Sequence, residues 1–111
     1  MMIQTTIYRT ESGRVQSFTI SGHALFANKG NDIVCAGASA ITFGAVNSII
    51  ALTGVEPEIE QGADGFLRCV IPDNLPEDVQ EKIQLLLEGM IVSLQTIERD
   101  YGKYIKITFK K

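Results

Sequence analysis

Between Pro76 and Asp100 apolar residues return at helical spacing. Val79, Ile83, Leu86, Met90, Leu94 and Ile97 form one stripe, and Leu87 and Ile91 widen it. A helix with a single apolar stripe must bury it against other elements, and most of the remaining chain reads as strand. Glu77, Asp78 and Glu81 complement the positive end of this helix, Pro76 suits its first turn, and Tyr101-Gly102 ends it.

Ile3 to Arg9 and Val15 to Ser21 are β-rich runs parted by Glu11-Ser12-Gly13, which predicts a hairpin. Phe18 and Ile20 alternate with Ser17, Thr19 and Ser21, giving one apolar and one polar face. Glu56 to Gln61 and Phe66 to Pro72 predict a second hairpin across Gly62-Ala63-Asp64-Gly65. A last strand is predicted from Tyr104 to Lys110, with Ile105, Ile107 and Phe109 inward and Lys106, Thr108 and Lys110 outward. The stretch from Cys35 to Leu52 reads as a helix that is apolar nearly all round. It closes at Thr53-Gly54, where glycine fits a left-handed cap. Such a helix is expected at the centre of the fold, buried on every side. The order is ββαββαβ, and residues 1–111 are expected to form a single α+β domain, one sheet packed with two helices.

With 111 residues, 45% hydrophobic and 21% charged, the chain has the size and balance of one such domain. A net charge of −3 weighs against direct nucleic-acid binding, which needs clustered Lys and Arg. Lys103, Lys106, Lys110 and Lys111 are spaced like the solvent face of a strand. Ala36 to Leu52 comes nearest to a membrane span, yet Ser39, Thr42, Asn47 and Ser48 interrupt it, so a buried helix and no membrane role are expected. Met1 to Thr6 is polar and has no basic start, unlike a signal peptide. Two cysteines without a leader point to reduced thiols and a cytoplasmic protein. Two helices on one sheet leave more apolar surface than a monomer this small readily hides, with Leu87 and Ile91 beyond the main stripe. A homodimer is therefore expected.

The chemistry concentrates in Gly22-His23-Ala24 and in Asp32-Ile33-Val34-Cys35-Ala36. Here the sole histidine approaches one of the two cysteines at the start of the apolar helix. A thiol attacks as the thiolate, which a helix N-terminus and an imidazole both favour. Cys35 is thus a candidate nucleophile and His23 its candidate base. No His/Cys cluster suits zinc, and no cofactor is implied. Asp32 fits either an N-cap or an orienter of the imidazole, and the helix begins either just after Asp32 or at Cys35 itself. Both starts put the sulfur at the positive helix end, with the Cys35 amide among the candidate oxyanion donors. Ser39, one turn on, fits a group near the site or a small buried serine bonded back to the Cys35 carbonyl. Ala24 to Val34 has no clear period and reads as a functional loop. In it Gly30, like Gly22, gives backbone freedom, while Leu25 and Phe26 offer apolar contacts to a substrate or pack into the domain. Cys69, within Leu67-Arg68-Cys69-Val70-Ile71, reads as core.

Gly22, His23, Ala24, Gly30, Asp32, Ile33, Val34, Cys35, Ala36 and Ser39 together resemble the signature of the ribosomal-processing cysteine protease family, Prp. The likeness in length and element order covers the whole chain. It implies that His23 and Cys35 are the catalytic pair and that the chain is a symmetric dimer. It also implies that the substrate is the N-terminal extension of bacterial ribosomal protein L-twenty-seven, cut after paired aromatic residues and before a small one. The residues alone indicate only acyl transfer, which a thioesterase shares. A ribosome-associated binding module with a structural Cys–His motif is the non-enzymatic alternative.

Overall fold

The computed structural model describes residues 2–22, 29–63 and 65–111, without the side chains of 29–32. The elements are β1 (Ile3–Arg9), β2 (Val15–Ser21), α1 (Lys29–Thr53), β3 (Glu58–Gln61), β4 (Leu67–Val70), α2 (Glu77–Tyr101) and β5 (Ile105–Lys110). The expected order and α+β class are found.

One five-stranded sheet runs β3-β4-β2-β1-β5. Both hairpins are antiparallel, β2 also pairs antiparallel with β4, and β5 returns parallel to β1 after the α2 crossover. Side chains alternate between the faces, so the helix face has a continuous row in register: Ile59, Cys69, Phe18, Ile7 and Phe109. Cys69, Phe18 and Ile7 are fully buried, whereas Ile59 and Phe109, on the two edge strands, are 40% and 44% exposed. Phe109 therefore points inward in register but ends at the rim, where the Arg9 guanidinium lies 5.5 Å from its ring centroid.

The edge strand β5 is partly shielded, because its Ile107 N–H donates to the Glu98 carboxylate of α2 at 2.9 Å. Ile83, Leu87, Met90, Ile91 and Leu94 of α2 reach the core, and Val79, Leu86 and Ile97 flank it. Leu87 and Ile91, which counted as surplus in the sequence, are absorbed into that core. Pro76 stands before the helix as its N-cap residue and accepts the Gln80 N–H at 2.9 Å. The second hairpin is shorter than its apolar run suggests, and all four residues of β3 are exposed.

α1 differs most from expectation. It starts at Lys29, so Gly30 and Asp32 are helical and part of the predicted loop is helix. Ile33 and Val34 have strand propensity, but Val34 is 1% exposed in the core, and this packing holds the pair helical. The stretch Ile33–Thr53 consequently becomes long and apolar enough to cross a bilayer, with a mean hydropathy of 1.8. In this fold it is one half of the helix layer. Nor is α1 buried on every side. Val34, Ala38, Thr42, Ala45, Val46 and Ile49 face the core, while Ile33 (59%), Phe43 (40%) and Ile50 (38%) are exposed. Among the described residues, one sheet and one neighbouring helix cover a single face of α1, and the other face is left uncovered. At its end Gly54 adopts φ +75° and its N–H reaches Ile50 O at 2.9 Å, the cap expected of glycine.

Candidate active site

Cys35 lies half-buried in the second turn of α1, on the wall of a cavity of about 300 Å³. α1 supplies one side of it through Cys35, Ala38, Ser39, Thr42 and Phe43. These positions share a helix face because they are spaced three, four, seven and eight residues from Cys35. The sheet supplies the floor through Ile3 at the start of β1 and Ile20 near the end of β2. Gly22 and Gly65 close the rim. Ile3, Ile20 and Ala38 are buried, which makes that floor apolar. Thr42 is also buried, and its hydroxyl donates to Ala38 O at 2.9 Å, so it adds no unpaired donor to the cavity.

Gly22 has a geometric reason to be glycine. Its φ is +90°, and a Cβ there would stand 2.7 Å from the Met2 carbonyl oxygen. The end of β2 therefore runs flush against the start of β1, directly before the residue position of His23. Three of the predicted site residues, Gly22, Cys35 and Ser39, meet around one cavity. Ser39 is exposed on its rim, so the alternative of a small buried serine does not hold. His23, Leu25 and Phe26 lie outside the described residues. Asp32 and Gly30 fall in the first turn of α1, which excludes the N-cap position for Asp32. An acidic residue in a first turn is still favoured by the helix dipole.

Because α1 starts at Lys29, Cys35 is its seventh residue. Only the first four amides of a helix lack an intrahelical acceptor. The expected use of the Cys35 amide as an oxyanion donor at a helix start is thus not matched by this backbone. Thr42 and Phe43 were missed in the sequence although the helical period, counted from Cys35, points to both. Gly65 had no local signal, since it reaches the cavity only because β4 pairs with β2.

The two cysteines occupy opposite environments and are not joined by a disulfide. Cys69 is fully buried in β4, and burial pushes its thiol up to about 11. It is a core residue, as expected. Among the described residues no group of three or more His, Cys, Asp or Glu could hold a metal.

The family model described as Cysteine protease Prp matches residues 2–106. The Ribosomal processing cysteine protease Prp of Bacillus subtilis is 49% identical over 108 residues, covering 96% of each chain. Its namesake in Staphylococcus aureus is 41% identical and covers 98% of this chain and 100% of its own. The crystal structure of the essential ribosomal processing protease Prp from S. aureus with a substrate peptide superposes at a TM-score of 0.87. It has 39% identity and covers 98% of this chain and 100% of that one. A second S. aureus structure, carrying a covalently linked product peptide, reaches 0.83 at 40% identity with the same coverage. With sequence, length and fold all shared, this chain belongs to the cysteine protease Prp family and is a cysteine protease.

Proposed function

We propose that the chain is a ribosomal-processing endopeptidase that removes the N-terminal extension of ribosomal protein L-twenty-seven, with Cys35 as nucleophile and His23 as general base. The observation that carries this reading is the shared cavity of Cys35 and Gly22, since Gly22 directly precedes the sole histidine. The names of the relatives and the covalently linked product peptide of the S. aureus protein support it.

The chemistry follows from the two groups. The Cys35 thiol gives its proton to the His23 imidazole, and the sulfur attacks the scissile carbonyl carbon. The tetrahedral intermediate collapses as the imidazolium protonates the leaving amine, and a thioester to Cys35 remains. His23 then takes a proton from water, the hydroxide adds to the thioester carbonyl, and the released thiolate regains that proton. Leu25, Phe26 and Gly30 are assigned to substrate contact and its admission, and Asp32, Ser39 and Gly22 to support of the pair. The apolar floor of Ile3, Ile20 and Ala38 suits the apolar side chains of the cleaved segment.

The reaction belongs in the cytoplasm, whose reducing poise preserves the thiol. The active species is a homodimer, supported by the uncovered apolar face of α1 with Ile33, Phe43 and Ile50.

Incubation with the ribosomal protein of the same organism, followed by mass measurement of the products, tests the substrate. A single cut after the paired aromatic residues is expected. An intact substrate in the presence of a folded, reduced enzyme rejects it. His23→Ala should lower turnover far more than substrate affinity, and near-normal turnover at neutral pH removes His23 as base.

A further inference from the structure

Cys35 and Phe43 stand at the two ends of the α1 wall of the cavity of about 300 Å³. They are eight residues apart in the helix, or about 12 Å along its axis. The turn between them brings Ala38 and Ser39 to the wall, and the space exists because both are small. Helical side chains lean toward the helix N-terminus, which carries the Phe43 ring back over that turn in the direction of Cys35. Phe43 is the one aromatic residue of α1, and the core makes no use of it. It is 40% exposed, although its neighbour Thr42 is fully buried.

The cavity favours an apolar guest. Ile3, Ile20 and Ala38 are buried beneath it, and the Thr42 hydroxyl donates to Ala38 O at 2.9 Å. Among the described residues no charged side chain lines it, so a charged group entering would lose water and gain no ionic partner. These walls accept aliphatic and aromatic guests alike, and Phe43 is what separates them. Two rings prefer offset or edge-to-face contact with centroids about 5 Å apart, an attraction that an alkyl side chain does not make. Over about 12 Å, such a contact leaves room for one substrate side chain between the Phe43 ring and a carbonyl held at Cys35.

We propose that Phe43 is a specificity-determining residue, whose ring packs against an aromatic side chain of the substrate residue attacked by Cys35. The inference rests on the reading of Cys35 as nucleophile, and is independent of His23 and of the identity of the substrate protein. Phe43 acts on recognition and leaves the reactivity of the thiol unchanged. Its ring also borders the uncovered face of α1, where Ile50 stands seven residues on without lining the cavity. Ile50 is therefore the control for any effect of that face on the site.

Alkylation of the full, reduced chain by two chloromethyl ketones, N-acetyl-phenylalanyl and N-acetyl-leucyl, tests it. The Cys35 sulfur displaces chloride, and mass mapping reads the rate and place of labelling. In the wild type the phenylalanyl reagent is expected to react about tenfold faster than the leucyl one. Phe43→Leu should reduce that preference to about twofold, and Phe43→Tyr should keep it. Iodoacetamide, which has no side chain to place, should label Cys35 at the same rate in all three, and Ile50→Ala should leave the preference at its wild-type value. Equal rates for the two ketones in the wild type, an undiminished preference in Phe43→Leu, or the same loss in Ile50→Ala overturns the proposal. So does a fall of the iodoacetamide rate in step with both ketones, because Phe43 would then support the thiol or the fold instead of selecting a guest. Labelling of Cys69 in place of Cys35 overturns the reading of Cys35 and this inference together. An uncut ribosomal protein beside an intact ketone preference rejects the proposed substrate and upholds the role of Phe43.

Discussion

A Cβ on Gly22 would stand 2.7 Å from the carbonyl oxygen of Met2. Gly13 has almost the same φ, +92° against +90°, but nothing lies within 4 Å of its missing Cβ. Substitution by alanine at the two positions therefore separates backbone strain from collision. Gly13→Ala should cost about 1 kcal/mol through its left-handed conformation alone. Gly22→Ala should cost more and should also depress proteolysis, because the displaced strand end precedes His23. Thermal unfolding and peptide cleavage on both variants check this, and equal effects on both readouts reject it.

Alkylation should discriminate sharply between the thiols. At neutral pH iodoacetamide should modify Cys35 on the cavity wall and spare Cys69, which is fully buried with its thiol pushed up to about 11. Cys35→Ala should abolish cleavage in a folded domain, and Cys35→Ser should be nearly as inactive. Cys69→Ala should keep activity and lose about 1–2 kcal/mol of stability. Peptide mapping by mass spectrometry reads the labelling, and preferential modification of Cys69 contradicts the assignment.

Arg9 of β1 reaches Glu88 of α2 through two contacts of 2.5 and 3.1 Å. The hydrogen bond from Arg9 is the main reason that the Glu88 carboxyl is held below its ordinary value of 4.5, with the charge of the guanidinium acting the same way. A depressed carboxylate stabilises the fold above its unfolded value, and this is lost as pH falls through the folded one. Glu88→Gln should thus lower stability at pH 7 by less than about 1 kcal/mol, since the pair is partly solvated. The difference should vanish in acid well below pH 4.5. Urea unfolding across that range checks the sign.

Ile50 and Ile33 sit on the uncovered face of α1, 38% and 59% exposed. Sedimentation equilibrium at micromolar concentration should give about twice the chain mass of 12.2 kDa. Ile50→Glu should shift the equilibrium toward monomer, because a charge would have to be desolvated in the interface. A wild-type mass of 12.2 kDa, or no shift in the variant, rejects this face as the dimer contact.

Asp32→Asn addresses the helix start. Asp32 falls in the first turn of α1, where an acidic residue is favoured by the helix dipole, so the substitution should cost below about 1 kcal/mol. A turnover loss as large as that of His23→Ala, with stability unchanged, would instead assign Asp32 to orienting the imidazole. Denaturant titration and steady-state rates on the same preparation separate the two outcomes.

While the grouping of Gly22, Cys35 and Ser39 came from the family resemblance, local pattern alone determined the element order, the two hairpins, the amphipathic α2 with its core stripe and the Gly54 cap. Each of these depends on alternation, helical period or a backbone conformation that few residues adopt, and such signals act over a handful of neighbours. Tertiary contacts decided the rest. The start of α1 moved to Lys29 because burial of Val34 outweighs the strand propensity of Ile33-Val34, and with it Cys35 moved from the first turn to the second. Uniform apolarity in α1 did not reveal which face would be covered, since a helix without a polar face has no local mark of orientation. Gly65 came to the cavity only through the order β3-β4-β2-β1-β5. Strand order is a long-range choice among pairings of similar local energy, so it is set by the whole core rather than by any one segment.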